Sequence, residues 1–112
     1  MEANELRMFN AIKRFGQIVY VNEHTFEDVK INNGSYSPIE LTEDWLLKMG
    51  FEKLGWDYWN GPVYFELADC GNGEWINSIN CHEYDNGVKI KYVHQLQNLY
   101  FALTNTELTI NL

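Results

Sequence analysis

Basic side chains are scarce in this chain. Eight Lys and Arg stand against sixteen Asp and Glu, a formal net charge of -8. Nucleic-acid backbones and anionic membranes are held largely through Lys and Arg, so this balance argues against direct binding to either. The shortage is sharpest in residues 57–88, which contain Asp57, Glu66, Asp69, Glu74, Glu83 and Asp85 but no Lys or Arg. That density of carboxylates is thin for a face imitating DNA, and solubility accounts for it. Cysteine is nearly absent too: Cys70 and Cys81 are the whole complement, with no Cys-x-x-Cys spacing. The opening Met1-Glu2-Ala3-Asn4-Glu5-Leu6-Arg7 lacks the apolar stretch of a signal peptide. Free thiols in a reducing cytoplasm are therefore expected. No apolar run approaches the length of a membrane span.

The signatures of catalysis are missing as well. There is no Gly-x-Ser-x-Gly elbow, phosphate loop or dinucleotide fingerprint. His24, His82 and His94 are scattered, and Cys70, Cys81 and His82 with Asp69 and Glu83 match no zinc spacing. The expectation is a protein without catalytic residues, metal or cofactor.

What is present is apolar and aromatic mass. Hydrophobic residues make up 46% of the 112-residue chain and aromatics 15%, enough to fold residues 1–112 as one domain. The stretch with most structure written into it is residues 92–104. Tyr92, Val93, Leu96, Leu99, Tyr100 and Leu103 form one helical stripe that should face the core. The opposite face carries His94, Gln97, Asn98 and Phe101, and nothing from 92 to 104 is formally charged with His neutral. Solvated helix faces are normally rich in Lys and Glu. A neutral face of amides, imidazole and phenyl implies a second covered surface, under the protein's own sheet, a second copy of the chain or a ligand.

Elsewhere the grammar is that of strands and turns. Leu6 to Val21 reads as strand-rich with a break at Gly16, and Phe26 to Ile31 as a strand leading through an Asn33-Gly34 hairpin turn into Ser35-Tyr36-Ser37. Pro38 confines that last strand to an edge. Thr42 as N-cap, Glu43 and Asp44 in the first turn and Gly50 as the stop predict a helix over 43–49. Leu41 should staple onto Leu46. Residues 51–91 read as further strands, with turns at Gly55, Asn60-Gly61, Gly71-Asn72-Gly73 and Asn86-Gly87. Asn105 marks the end of the long helix, and the alternation of Leu108, Ile110 and Leu112 predicts a last short strand. The expected class is α+β: a small curled antiparallel sheet with one short and one longer helix packed on it.

Three segments carry a resemblance. Asn4-Glu5-Leu6-Arg7, Ser37-Pro38-Ile39-Glu40-Leu41-Thr42-Glu43-Asp44-Trp45-Leu46-Leu47 with Gly50-Phe51, and Tyr92 through Thr104 together resemble a family of short hypothetical proteins. The family occurs in Bacteroides-type gut bacteria, their phages and mobile elements, and the similarity spans almost the whole chain. It implies ancestry and setting, and no reaction. Met8-Phe9 stands where relatives tend to carry an aliphatic residue and glycine, which argues against a tight early turn. Asn105 replaces their usual glycine and preserves the helix stop. The Leu6-Arg7…Gly16…Ile18-Val19-Tyr20-Val21 pattern is also similar to the opening of SH3-like barrels, a likeness of fold alone.

Binding candidates follow from the aromatics and the neutral helix face: Trp56, Tyr58, Trp59, Trp75, His94, Gln97, Asn98 and Phe101. Alternation along the strand sends Tyr58 inward and Trp59 outward, or the reverse. The leading expectation is a non-enzymatic binding protein of phage or mobile-element origin, whose partner is a host or phage protein such as a defence component it blocks. A homodimer is a further expected assembly. One alternative is a small-ligand protein sequestering a nucleotide signal, which would need Arg7, Lys13, Arg14, Lys89 and Lys91 to converge. A weakly active hydrolase is another.

Overall fold

A two-residue turn starts the fold. Phe15 and Gly16 both adopt left-handed backbone, φ 50° and 79°, the pair of conformations a tight hairpin with properly twisted strands requires. The strands on either side are β1 (Ala11–Arg14) and β2 (Gln17–Tyr20), paired antiparallel from Arg14 opposite Gln17 to Ala11 opposite Tyr20. β3 (Tyr36–Ser37) joins the other side of β1, so this small sheet runs β2-β1-β3 and β3 is an edge, as Pro38 implies. The computed structural model describes residues 3–55, 57–60, 65–71, 73–77, 88–108 and 110–111.

Between β2 and β3 the expected strand and hairpin turn are replaced by helix. α1 spans Glu23–Ile31, capped by the side chain of extended Asn22, which accepts from the Thr25 N–H at 2.9 Å. Phe26 and Val29, three residues apart, lay one face onto the sheet, and Val29 is fully buried. The alternation at 29–31 is too short to outweigh that cap and packing. With a helix before it, Asn33-Gly34 has no strand to return from; Asn33–Ser35 forms a 3-10 turn instead. The early tight turn at Met8-Phe9, which the missing glycine argued against, is also present. Asn10 N–H bonds to the Arg7 carbonyl at 3.1 Å, and Phe9 takes φ 72°.

The predicted short helix forms as α2 (Glu43–Lys48). Thr42 caps the Trp45 N–H, Gly50 follows at φ 85°, and Leu41, Leu46 and Phe51 are buried together. A second sheet follows in chain order, β4 (Phe51–Leu54), β5 (Asp57–Asn60), β6 (Phe65–Gly71), β7 (Glu74–Asn77) and β8 (Val88–Ile90), all antiparallel. A bulge between Asp69 and Gly71 breaks its register. The turns expected at Asn60-Gly61 and Asn86-Gly87 involve residues outside those described. The fold is α+β, with two antiparallel sheets in place of one.

α3 (Val93–Thr104) closes the chain's framework. Its first N–H, that of Val93, donates to the Ile39 carbonyl at 2.9 Å, and the Gln95 side-chain oxygen folds back to accept from the Lys91 and Tyr92 N–H groups just before the helix at 2.9 and 3.0 Å. Asn105 ends it in left-handed backbone, its N–H bonded to the Phe101 carbonyl. The tail beyond forms no strand among the described residues. Leu108 is buried and Ile110 packs on the core, so the alternation is one of burial, fastened by Arg7 at Glu107 and by the Asn111 N–H at the Lys48 carbonyl.

Two cores result, one on each face of β1. Ala11 points into the larger, with Ile39, Leu46, Phe51, Leu67, Trp75 and Leu96. Ile12, its neighbour, points into the smaller with Leu6, Val21, Val29 and Tyr36. Both residues are fully buried, the period-two logic of a strand covered on both sides.

Candidate functional site

The neutral face of α3 is covered, and by the chain's own residues 5–11. Gln97 accepts from the Ala11 N–H at 2.8 Å and donates to the Phe9 carbonyl at 3.2 Å. Asn98 accepts from Arg7 Nε and Asn10 Nδ2, and donates to the Glu5 carbonyl. Asn10 itself is fully buried, taking the Arg7 N–H at 2.6 Å. Amides suit this work because each offers a donor and an acceptor to backbone that no strand partner reaches. Arg7 closes the seam: its guanidinium forks onto Glu107 and lies 4.2 Å above the Phe101 ring. The buried stripe of α3 is accordingly Val93, Leu96, Gln97 and Tyr100, with His94 beside it. Leu103, expected in the core, is 55% exposed, and Leu99 is half-buried, because the helix turns its amide side inward to meet the N-terminal arm.

His94 is 1% exposed and stacks on Tyr92 at 5.9 Å. Neither ring nitrogen has a hydrogen-bond partner, and Nε2 lies 3.9 Å from the Glu5 carboxylate. Burial pushes its pKa below the ordinary imidazole value, and the Glu5 charge opposes that only in part. A neutral imidazole in this position packs the seam.

The aromatic candidates divide between core and surface. Tyr58 and Trp75 are buried and meet edge to face, with ring centres 5.3 Å apart; the Trp75 N–H donates to the Leu41 carbonyl at 3.0 Å. Trp59, one residue on, is half-buried. Trp56 lies outside the described residues, as do Cys81 and the Cys70 side chain. Among the described residues there is no group of three or more metal-binding side chains, and no helix is long and apolar enough to cross a membrane.

Beside Gln97, which the sequence named, the structure brings together residues that sequence reasoning missed. Phe9 is 66% exposed on its left-handed backbone, at the rim of a concavity of about 310 Å3 that Tyr20, Gln97, Glu107, Leu108 and Ile110 complete. Phe15 at the hairpin tip is 79% exposed, and Ile18 and Tyr20 of β2 are also exposed. Comparison of the chain with protein-family models, curated proteins and solved structures finds no significant match in any of the three. The geometry therefore speaks without a relative beside it.

A second concavity, about 450 Å3, opens on the α1 side of the hairpin between Met8 and Phe26, with Glu23 and Glu27 on its wall. Arg14 lies 3.4 Å from Asp28 and about as close to the Phe15 ring as to Tyr36, at 5.4 and 5.2 Å. Hydrogen bonds from Tyr36 and Asn32 hold the Asp28 carboxyl below its ordinary pKa. Of the five basic groups an anion site would need, Arg7 is taken by Glu107 and Arg14 by Asp28. The signal for the exposed set was available in retrospect. Large rings at turn positions, where Gly or Asn fits better, are a departure that periodicity does not register.

Proposed function

We propose that this protein works by binding another protein, without catalysis, at the concavity beneath Phe9. One observation supports the reading above others: a phenylalanine held at φ 72° while the residue stays two-thirds exposed. Left-handed backbone costs a residue with a Cβ about 1–2 kcal/mol. An exposed ring gains little burial to offset it, and strain of this kind concentrates at binding sites. The surroundings suit a protein anchor, with Tyr20, Leu108 and Ile110 as an apolar wall and Gln97 and Glu107 as its polar rim. The resemblance to phage and mobile-element proteins supports a host or phage partner, such as a defence component that binding would block.

A nucleotide sponge fits less well, because Arg7 and Arg14 are already engaged with carboxylates. A hydrolase fits poorly too, since His94 is closed off from any substrate.

The test is affinity capture from the bacterial host with the parent and with Phe9→Gly, which removes the ring and relieves the turn. The parent should retain a specific protein that Phe9→Gly loses, with the variant's melting temperature equal or higher. Retention of that protein by the variant would place the contact elsewhere. A saturable rise in melting temperature with a nucleotide or cyclic dinucleotide would favour the small-ligand reading instead.

A further inference from the structure

We infer, resting on the protein-partner reading, that the partner meets this site with an extended strand, which pairs with the outer edge of β2 and drops an apolar side chain into the Phe9 concavity.

The sheet edges differ in their defences. Of the four edges among the described residues, three are blunted in the usual ways. β3 is two residues long and runs into Pro38, β4 bears Glu52 and Lys53, and β8 bears Lys89. β2, Gln17-Ile18-Val19-Tyr20, has no charge, no proline and no bulge. Its backbone is open as well. The tight turn closes on Arg14 opposite Gln17, and the Val21 N–H donates to the Asn10 carbonyl at 2.8 Å. Bonded residues alternate along an antiparallel pair, so Gln17, Val19 and Val21 turn their backbone groups toward β1. Ile18 and Tyr20 turn theirs outward, and among the described residues no strand pairs with that edge. An added strand satisfies both N–H groups and both carbonyls, which a docked helix cannot do because its own backbone is already paired.

Edge and concavity are continuous through Tyr20. Its cross-strand partner Ala11 points into the larger core, so Tyr20 and Ile18 stand on that face of the small sheet, and Tyr20 lines the concavity. Strand pairing sets side chains level, so the residue opposite Tyr20 on an added strand points over the same hollow. At about 310 Å3 the hollow lies at the floor of the small-ligand range, about 300–1,000 Å3, and takes one large side chain. Charge sets the next position. Lys13 pairs across the strands with Ile18 on this face, and among the described residues it has no ion pair, unlike Arg7 and Arg14. The added residue opposite Ile18 stands two strand spacings from Lys13, about 10 Å, a gap that a Lys and a Glu side chain close over Ile18. The partner segment is thus apolar at one position and acidic two residues away.

A displayed library of random peptides, selected on the purified protein, should yield binders with an apolar residue two positions from an Asp or Glu. Bound peptide should slow amide exchange at Ile18 and Tyr20 about tenfold or more, and leave Val19, already paired with β1, unchanged. Ile18→Pro removes an outward donor without touching the β1 ladder, and should weaken the peptide about tenfold or more. Lys13→Glu should reverse the charge preference, rejecting the acidic peptide and accepting its lysine counterpart. Phe9→Gly should lose the peptide too. If Phe9→Gly releases it and Ile18→Pro does not, the added strand is overturned while the concavity reading stands. Release by Ile18→Pro alone overturns the anchor, and the concavity reading with it. Binders that leave the Ile18 and Tyr20 amides unprotected overturn the inference whatever the variants do. A library without binders overturns it as well, while affinity capture still decides the concavity reading.

Discussion

Two groups of uncharged side chains in this protein come to opposite ends. On α3 the uncharged groups are amides, and the N-terminal arm lies on them so that Gln97, Asn98 and Asn10 all find partners. On the β1–β2 hairpin and the turn before it the uncharged groups are Phe9, Phe15, Ile18 and Tyr20, and they stand in solvent. The contrast is chemical. Amides can serve backbone that lacks a strand partner, so the chain can satisfy them itself. Rings on left-handed turns offer only apolar area, and the turn holds them away from both cores. Absence of charge thus accompanies cover on α3, where the chain supplies it, and exposure on the hairpin, where the chain supplies none.

The contrast breaks most visibly if α3 is charged. Gln97→Glu with Phe101→Lys should cost about 3 kcal/mol or more in urea unfolding, by burying a carboxylate, orphaning the Phe9 carbonyl and setting Lys against Arg7. A double mutant as stable as the parent would mean that the arm does not hold this face. A smaller effect belongs to the closure of the seam. Arg7→Met and Glu107→Gln should show a coupling of about 1 kcal/mol in a double-mutant cycle, for a pair about one-third exposed.

His94 should add a gentler pH dependence. Its folded pKa lies below the ordinary 6.5, so between the two values the unfolded chain binds the extra proton. Stability from this group is full above pH 6.5 and falls as pH drops toward the folded value. Melting curves from pH 7.5 to 5 should show the decline, and His94→Phe should flatten it.

The smallest effect has the opposite sign and sharpens the comparison. Phe15→Asn should raise stability by about 0.5–1 kcal/mol, since the turn favours Asn and the ring is exposed. A loss of that size would show that the ring packs within its own chain.

Local chemistry in the sequence determined a good deal. Thr42, Glu43 and Gly50 act over a few bonds, and the short helix lies where they put it. Asn105 stops α3 as its type allows, and the uncharged face of His94, Gln97, Asn98 and Phe101 reported a covered surface before its cover was known. Where two local signals conflicted, the reading failed: Val29 to Ile31 alternate like a strand, yet Asn22 caps a helix whose Phe26 and Val29 reach the small sheet. The tertiary structure decided what composition and spacing could not express. It chose residues 5–11, some ninety positions away, as the cover for α3, because hydrogen-bond complementarity between distant segments has no local period. It sent Tyr58 and Trp75 inward and left Phe9 and Phe15 outside, because burial follows where a backbone turn points a ring, and aromatic mass alone does not set that direction.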